Sequence, residues 1–539
     1  MPSHFPPWVS WHSEVLAFFA LLLLAWQGAL SSAKNGTLTT LVVPHIAIPL
    51  MVATGLIWLQ AAIGTLTFFG DALVLTIYIA LCFASLMLGR AASCKSEAYI
   101  ALAFTLSTGA FFSAIVAFVQ VFDVWENASW INRMQQLRRP GGNIGQPNQL
   151  ATLLLMGVAS LLFLYEKKKV SVSLFALLSL ILLAGLAATE SRTGILSFSA
   201  LMGWWFFKRK SLGFALSPWV VLVAATGFLG MFFTWPQLIN AVQASGAPGT
   251  VNISAGSRWM VWSQLMDAVW MRPWTGWGLG RISDAQNAVA HVYEHSETFT
   301  YAHNILLDLV LGAGIPLTLL IGVVTVVWLL RRISATQQLT SWYCLAVVLP
   351  VAVHSMLEFP FAYAYFLVPV MLALGALDGL AGTRPAFHLS IKPVFAMLMM
   401  ATALMAWSVV EYLAIEEDFR IVRFEALRVG QTPANYERPK VILLTQLDAL
   451  LHGGRIVPKP GMSTDELTLA KNVALRFPWP ATQNRYALSL ALNGNSEEAM
   501  RQMRVMRALH GADSYRQIKQ TWTQLGTEKY PELLLLKLP

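Results

Sequence analysis

Apolar runs broken by short polar segments dominate the chain. Runs of the length needed to cross about 30 Å of hydrocarbon, roughly 17–25 residues each, fall near 13–31, 41–61, 72–90, 99–122, 149–165, 170–188, 193–207, 212–234, 304–330, 340–357, 361–382 and 390–414. The pattern predicts an all-α polytopic membrane bundle of about twelve transmembrane helices. Two stretches depart from it. Residues 235–302 are mostly polar, and the chain from about 415 is charged and has no run of spanning length. Four parts are expected in chain order: helices in 1–234 with an outer loop at 123–148, a large outer loop at 235–302, a second set of helices in 303–414, and a helical domain in 415–539.

Charge gives the bundle a direction. Lys34, Arg90 with Lys95, Lys167–Lys169, Lys208–Lys210, Arg331–Arg332, and Arg384 with Lys392 all fall in odd-numbered loops. Basic residues in short loops mark the cytoplasmic side. The even-numbered loops 123–148, 235–302 and 358–360, together with the tail, are then expected on the opposite face. The first fourteen residues hold no Lys or Arg, so the start does not read as a signal peptide and is expected to follow a first helix that is absent here.

Composition agrees: 56% of residues are hydrophobic and 12% charged, with a mean hydropathy of +0.57, which excludes an ordinary soluble domain. The net charge of +9 sits in the topology-setting loops, so nucleic-acid binding is not indicated. Cys82, Cys94 and Cys344 have no ligand spacing, and neither a disulfide framework nor a metal is expected. No cofactor is implied.

The outer loops hold the unusual residues. Leu137-Arg138-Arg139-Pro140-Gly141-Gly142-Asn143-Ile144-Gly145-Gln146-Pro147-Asn148-Gln149 puts two arginines on the uncharged side and is dense in amides; a turn-rich connector with Asn148 as helix cap is the plain alternative. Thr189-Glu190-Ser191-Arg192 sits between two spans, holding Glu190 and Arg192 at the bilayer boundary, where charges are costly and mark sites, unless the two merely neutralise each other. Arg258 begins an amphipathic stretch ending at Trp274-Thr275-Gly276-Trp277, whose tryptophans suit an interfacial belt; its guanidinium suits a phosphate. Tyr301-Ala302-His303-Asn304 opens the ninth run. His354 and Glu358, four apart, are expected on one helical face. His303, Arg192, His354 and Glu358 all fall on one side of the membrane in this count. A histidine placed where a span meets water suits chemistry on a lipid-borne substrate.

These residues carry a family resemblance. His303-Asn304 with Gly314-Ile315-Pro316-Leu317 resembles the His-Asn…Gly motif of the O-antigen ligase and Wzy polymerase superfamily. Gly145-Gln146-Pro147-Asn148-Gln149-Leu150-Ala151, His354-Ser355-Met356-Leu357-Glu358-Phe359-Pro360 and the opening Pro6-Pro7-Trp8-Val9-Ser10-Trp11-His12-Ser13-Glu14 are similar to its PglL-type branch of bacterial protein O-oligosaccharyltransferases. The resemblance implies transfer of an oligosaccharide from undecaprenyl pyrophosphate to a Ser or Thr hydroxyl of a pilin-like protein, at the periplasmic face of the inner membrane and without a metal. It implies His303 as the base or aligner of the hydroxyl, and Arg192, Arg258, Arg138 or Arg139 as holders of the pyrophosphate. Gln146 and Asn148 would then bond sugar or phosphate, with Asn304, Glu190, His354 and Glu358 in support. Phe359 stands where relatives are expected to have Tyr, a role that falls to Tyr363 or Tyr365. Two alternatives stay open: an O-antigen ligase or polymerase with a glycan acceptor, and a transporter, against which the lack of an internal repeat counts. In the tail, Ala487–Ala499 resembles one tetratricopeptide-like helical hairpin, suited either to docking an acceptor or to supporting the outer loops.

Overall fold

The computed structural model describes residues 6–34, 40–124, 131–132, 139–243 and 258–539. Among them the helices are α1 (Trp11–Lys34), α2 (Ile48–Ala62), α3 (Phe69–Ala91), α4 (Ser96–Val121), α5 (Pro147–Glu166), α6 (Val172–Ala188), α7 (Arg192–Leu212) and α8 (Pro218–Gln243). There follow α9 (Arg258–Met271), α10 (Ile282–Ala290), α11 (Ile305–Ala313), α12 (Ile315–Ser334), α13 (Leu339–Ser355), α14 (Ala364–Leu380) and α15 (Ile391–Leu427). The tail adds α16 (Thr445–Arg455), α17 (Thr464–Arg476), α18 (Pro480–Leu492) and α19 (Ser496–Glu528).

This is an all-α, multi-pass membrane protein. Among the described residues eight helices are long and apolar enough to cross a membrane, and α6, α13 and α14 are shorter apolar helices. With α7, whose last turn carries Arg209 and Lys210, they account for the twelve runs. Three corrections follow. The ninth run is two helices, because Gly314 takes φ 79° and ψ 168° between α11 and α12, a conformation open almost only to glycine. The second run begins as a strand: β1 (Thr40–Pro44) pairs antiparallel with β2 (Pro385–Ser390), Val42 opposite His388. The twelfth does not end at 414, since α15 continues unbroken for 37 residues to Leu427.

The chain forms two compact units. The first comprises residues 1–50, 78–254 and 324–402. Its core is built by α4–α8, α13 and α14. In a bilayer the aqueous drive to bury side chains is missing, so close backbone approach does the packing. Ala103, Ala110, Ala114 and Ala117 line the buried face of α4, and a Cβ on Gly157 of α5 would overlap the Ala110 methyl. At one end of this unit Arg90 pairs with Asp378, Lys208 donates to Thr336 O at 3.1 Å, and Glu166 accepts from Ala215 N and Leu216 N at 2.9 and 3.0 Å. That end carries the basic loops. The start of α5, the end of α6, the start of α7 and the end of α13 meet at the other.

The second unit comprises residues 51–77, 255–323 and 403–539. Here the tail and the segment before His303 pack as one body. α18 and α19 form the helical hairpin expected from the sequence, closed by Asn495, which caps α19. Arg476 of α17 pairs with Asp71 at the start of α3 at 2.9 Å, and Gly70 N donates to Thr445 Oγ1 at 2.9 Å.

Candidate active site

The candidate residues divide between the units. In the first, two residues one turn apart on α5 face two residues four apart at the end of α13. Asn148 Nδ2 donates to Glu358 Oε1 at 3.1 Å, and Thr152 Oγ1 lies 2.8 Å from His354 Nδ1. α13 ends at Ser355; one further i to i−4 bond, Glu358 N to His354 O at 2.9 Å, keeps Glu358 on the His354 side. Both are buried, at 5% and 0% exposure. The other end of the Asn148 amide accepts from Ser191 Oγ at 2.7 Å. Ser191 Oγ in turn accepts from Gly194 N at 2.9 Å, which makes it the cap of α7. Asn148 thus ties the starts of α5 and α7 to the end of α13.

Asn148 is not the helix cap weighed from sequence. Gln146 takes that place, its Oε1 accepting from Gln149 N at 2.6 Å. Gln149 is buried and accepts from Tyr365 OH at 2.8 Å, while Tyr363 stacks on Tyr365 and Phe359 with ring centroids 5.2 and 6.0 Å apart. Arg139 Nε donates to Thr189 O at 3.0 Å, so one of the two loop arginines reaches the α6–α7 turn. Arg138 lies outside the described residues. In that turn Glu190 is buried and takes a positive φ of 47°, and Arg192, the first residue of α7, is exposed.

Two further polar residues of this unit had no role assigned from the sequence. Gln120, a lone amide in an apolar run, fastens the α4–α5 connection by donating to Asn132 O at 2.7 Å and accepting from Gly142 N at 2.8 Å. Glu14 Oε2 accepts from Ala364 N and Tyr78 OH, both at 2.8 Å, fixing the start of α14. Buried polar groups without partners are costly, so an isolated amide or carboxylate in an apolar run was the available signal.

In the second unit His303 takes a positive φ of 55°, an uncommon conformation for a side-chain-bearing residue, and the residues around it are clamped. Trp262 Nε1 donates to Ala302 O at 2.6 Å, and Ala302 N donates to Asp308 Oδ2 at 3.0 Å. Asn304 caps α11, its Oδ1 accepting from Leu306 N and Leu307 N at 3.0 and 3.1 Å. His303 is half-buried, and its ring lies tilted by 33° against Phe299 with centroids 4.4 Å apart. Phe299 N donates to Gln286 Oε1 at 3.1 Å, and Gln286 Nε2 donates to Glu297 O at 2.6 Å. The motif glycine has a packing reason besides its backbone angles: a Cβ on Gly314 would overlap the Trp274 carbonyl oxygen. Arg258 starts α9, one turn before Trp262.

The tail reaches the same loop. Ser296 N donates to Ala508 O at 2.9 Å, and the Asn287 and Gln502 amides exchange bonds of 3.1 and 3.2 Å. Tyr293 donates to the Asp267 carboxylate, which pushes its hydroxyl up to about 12. Burial, with Arg501 and Arg504 nearby, lowers His291 below the usual imidazole range. Among the described residues no group of three His, Cys, Asp or Glu is arranged to hold a metal ion.

Three family models match the chain. One described as O-Antigen ligase covers residues 177–322, one described as Protein glycosylation ligase covers 140–165, and one described as Virulence factor membrane-bound polymerase, C-terminal, covers 342–525. The first spans His303 and the second spans Gln146 and Asn148. Two relatives come from Acinetobacter baylyi. A general O-oligosaccharyltransferase is 25% identical over 533 residues, 95% of this chain and 90% of the relative. A ComP-specific O-oligosaccharyltransferase is 26% identical over 377 residues, 68% of this chain and 66% of the relative.

Proposed function

We propose, from the premise that this chain belongs to the O-antigen ligase superfamily and its protein glycosylation ligase branch, that it is an O-oligosaccharyltransferase moving an oligosaccharide from a lipid-linked donor to a protein hydroxyl. In the finer reading the donor is undecaprenyl pyrophosphate, the acceptor a Ser or Thr of a pilin-like protein, and the site faces the periplasm from the inner membrane. The observation that carries this reading is His303: a half-buried histidine on left-handed backbone, clamped through Ala302 and Asn304, inside the stretch matched by the ligase model.

The reaction needs little covalent help. The bond from the anomeric carbon to the phosphate oxygen breaks, the pyrophosphate leaves with that electron pair, a bond to the acceptor oxygen forms, and the hydroxyl proton is taken up. His303 aligns the hydroxyl and accepts its proton, the work of a positioned general base. Arg258, in the same unit as His303, binds the pyrophosphate through planar charge-assisted bonds, and Arg192 and Arg139 are the arginine candidates of the first unit. Asn148, Gln146, Glu190, His354, Glu358, Tyr363 and Tyr365 keep the donor-side framework in register. Side-directed charge supports the topology: the Lys and Arg loops gather at one end of the first unit and the Asn148–Glu358 cluster at the other.

The matches to O-antigen ligase and membrane-bound polymerase models favour one second reading, a glycan acceptor on the same donor. Expression with a lipid-linked glycan pathway and a pilin-like protein separates the two. A mass increase of one glycan on the acceptor protein is the expected result. Glycan appearing only on lipopolysaccharide or as a longer polymer would overturn the protein-acceptor reading.

A further inference from the structure

We propose that α9 lies in the plane of the membrane, its outer face seated in the headgroup–acyl boundary, and so sets the depth of the His303 loop. The observation is a helix with two apolar faces. Val261, Leu265, Ala268 and Val269 are buried against α10 and α11. On the opposite face Trp259, Met266 and Trp270, spaced by seven and four residues and hence one helical strip, are 73%, 40% and 65% exposed, and Trp274 beyond the helix is 78% exposed. Three tryptophans open to the surroundings are costly in water and favoured at the boundary, where the indole body is buried and its N–H stays wet.

The bilayer is identified as the occupant by continuity with a spanning helix. Ile315 N, the first residue of α12, donates to Pro273 O at 2.7 Å, and Trp277 N donates to Leu311 O at 2.6 Å. α12 has 20 residues and ends in Arg331 and Arg332. At 1.5 Å per residue it is about 30 Å long, one hydrocarbon thickness. Its outward residues Leu319, Leu320 and Val323 are all about 60% exposed, as a lipid-facing surface requires. The α12 start is therefore at the outer boundary, and Pro273 and Trp274 are fixed to it. From there α9 runs back beside α11: Pro273 meets Ile315 at one end, and Trp262 holds Ala302 at the other. With the Trp259–Met266–Trp270 strip in the boundary along its whole length, the pair lies flat. His303, joined to α11 and reached by Trp262, then sits at headgroup depth. The membrane contact does not depend on the transferase reading. What rests on that reading is the consequence: the pyrophosphate of a membrane-anchored donor arrives at the depth of the imidazole without leaving the bilayer surface.

The test is depth measurement by nitroxide labels on single cysteines, in a background lacking Cys82, Cys94 and Cys344, with the full chain in proteoliposomes of phosphatidylethanolamine and phosphatidylglycerol. Trp259→Cys, Met266→Cys and Trp270→Cys are compared with Leu320→Cys as the lipid-facing reference and Thr298→Cys, exposed in the loop, as the aqueous one. The expected result is an oxygen-to-nickel-chelate collision ratio several-fold above that at Thr298 for all three α9 positions, and shallower than at Leu320. A lipid-like ratio at 270 with a water-like ratio at 259 means α9 stands upright and overturns the proposal. So does chelate access at all three, or shielding from both probes, which means protein covers the strip. Because the label reads position and not transfer, failure here leaves the transferase reading standing, and an inactive chain with lipid-seated labels leaves this one standing.

Discussion

The two units hold their candidate residues in opposite ways. Around Asn148 the side chains bond one another: Asn148 to Glu358 and Ser191, Thr152 to His354, Gln149 to Tyr365. Buried between helix ends, these groups fix where the helices meet. Around His303 the bonds go to the backbone on either side, through Trp262, Asp308 and Asn304, and the half-buried imidazole lies against the Phe299 ring. A chain that must keep a framework rigid bonds its side chains together; one that must present a side chain to a substrate holds the main chain beneath it. Mutations in the first set are therefore expected to act through stability and geometry together, those at His303 through the reaction alone.

His303→Ala is the sharpest break. General base assistance and alignment contribute about 10²–10⁴-fold in rate, so transfer to the acceptor falls at least a hundredfold while membrane insertion and abundance stay normal. Quantified glycan on the acceptor, beside the detergent melting curve of the purified protein, checks both halves. A well-expressed variant with full transfer would remove His303 from the reaction. Asn148→Asp is the matching break in the first unit. It puts a second carboxylate against Glu358 and removes the amide donor, leaving a buried group unsatisfied at about 1–3 kcal/mol, with like-charge repulsion added. Both melting temperature and transfer should drop, and Asn148→Gln should not restore either, because the extra methylene displaces the amide from its two partners. A drop in transfer with unchanged melting would assign Asn148 to substrate and not to the framework.

How much of this was legible beforehand follows the same division. Periodicity gave the helices, because the length of an apolar run is a one-dimensional signal. The break at Gly314 and the β1–β2 pairing were not, since each depends on a partner far along the chain: the Trp274 carbonyl for Gly314, and residues 385–390 for residues 40–44. His354 and Glu358 were found from their spacing, yet Thr152 and Ser191, which hold the cluster together, look like ordinary small polar residues until α5, α7 and α13 are side by side. Gln146, and not Asn148, caps α5 for a local reason: Pro147 between them starts the helix, and the residue before it caps.

Gly314→Ala carries a smaller expected effect on the second unit. The glycine-only backbone region costs a non-glycine residue about 1–3 kcal/mol, and the new methyl overlaps the Trp274 carbonyl oxygen. The α9–α11 pairing loosens without touching the imidazole, so transfer falls by several-fold to a hundredfold with His303 still present. Hydrogen exchange at Trp277 N, bonded to Leu311 O, should rise in the variant; unchanged exchange would mean the turn adapts and the glycine serves something else.

The smallest expected effect tests whether the tail belongs to this clamp. Gln502 exchanges two neutral amide bonds with Asn287, and Ala508 accepts from Ser296, seven residues before His303. Neutral hydrogen bonds contribute about 0.5–1.5 kcal/mol each, so Gln502→Ala should weaken the joint between α19 and α10 by a few kcal/mol at most and leave α18–α19 folded. If the tail supports the loop, backbone exchange across residues 291–303 rises and transfer falls severalfold at an unchanged requirement for acceptor. A double substitution with Asn287→Ala should then cost less than the two single changes added, because the Asn287–Gln502 pair is lost in all three, while Asn287→Ala also loses the bond from Arg501 and Gln502→Ala the bond to Glu498. If the tail instead docks the acceptor, loop exchange stays at the parent level and the acceptor concentration for half-maximal transfer rises. The two roles weighed from sequence thus part on two readouts of one variant, and the bonds to Asn287 and Ser296 favour support of the loop.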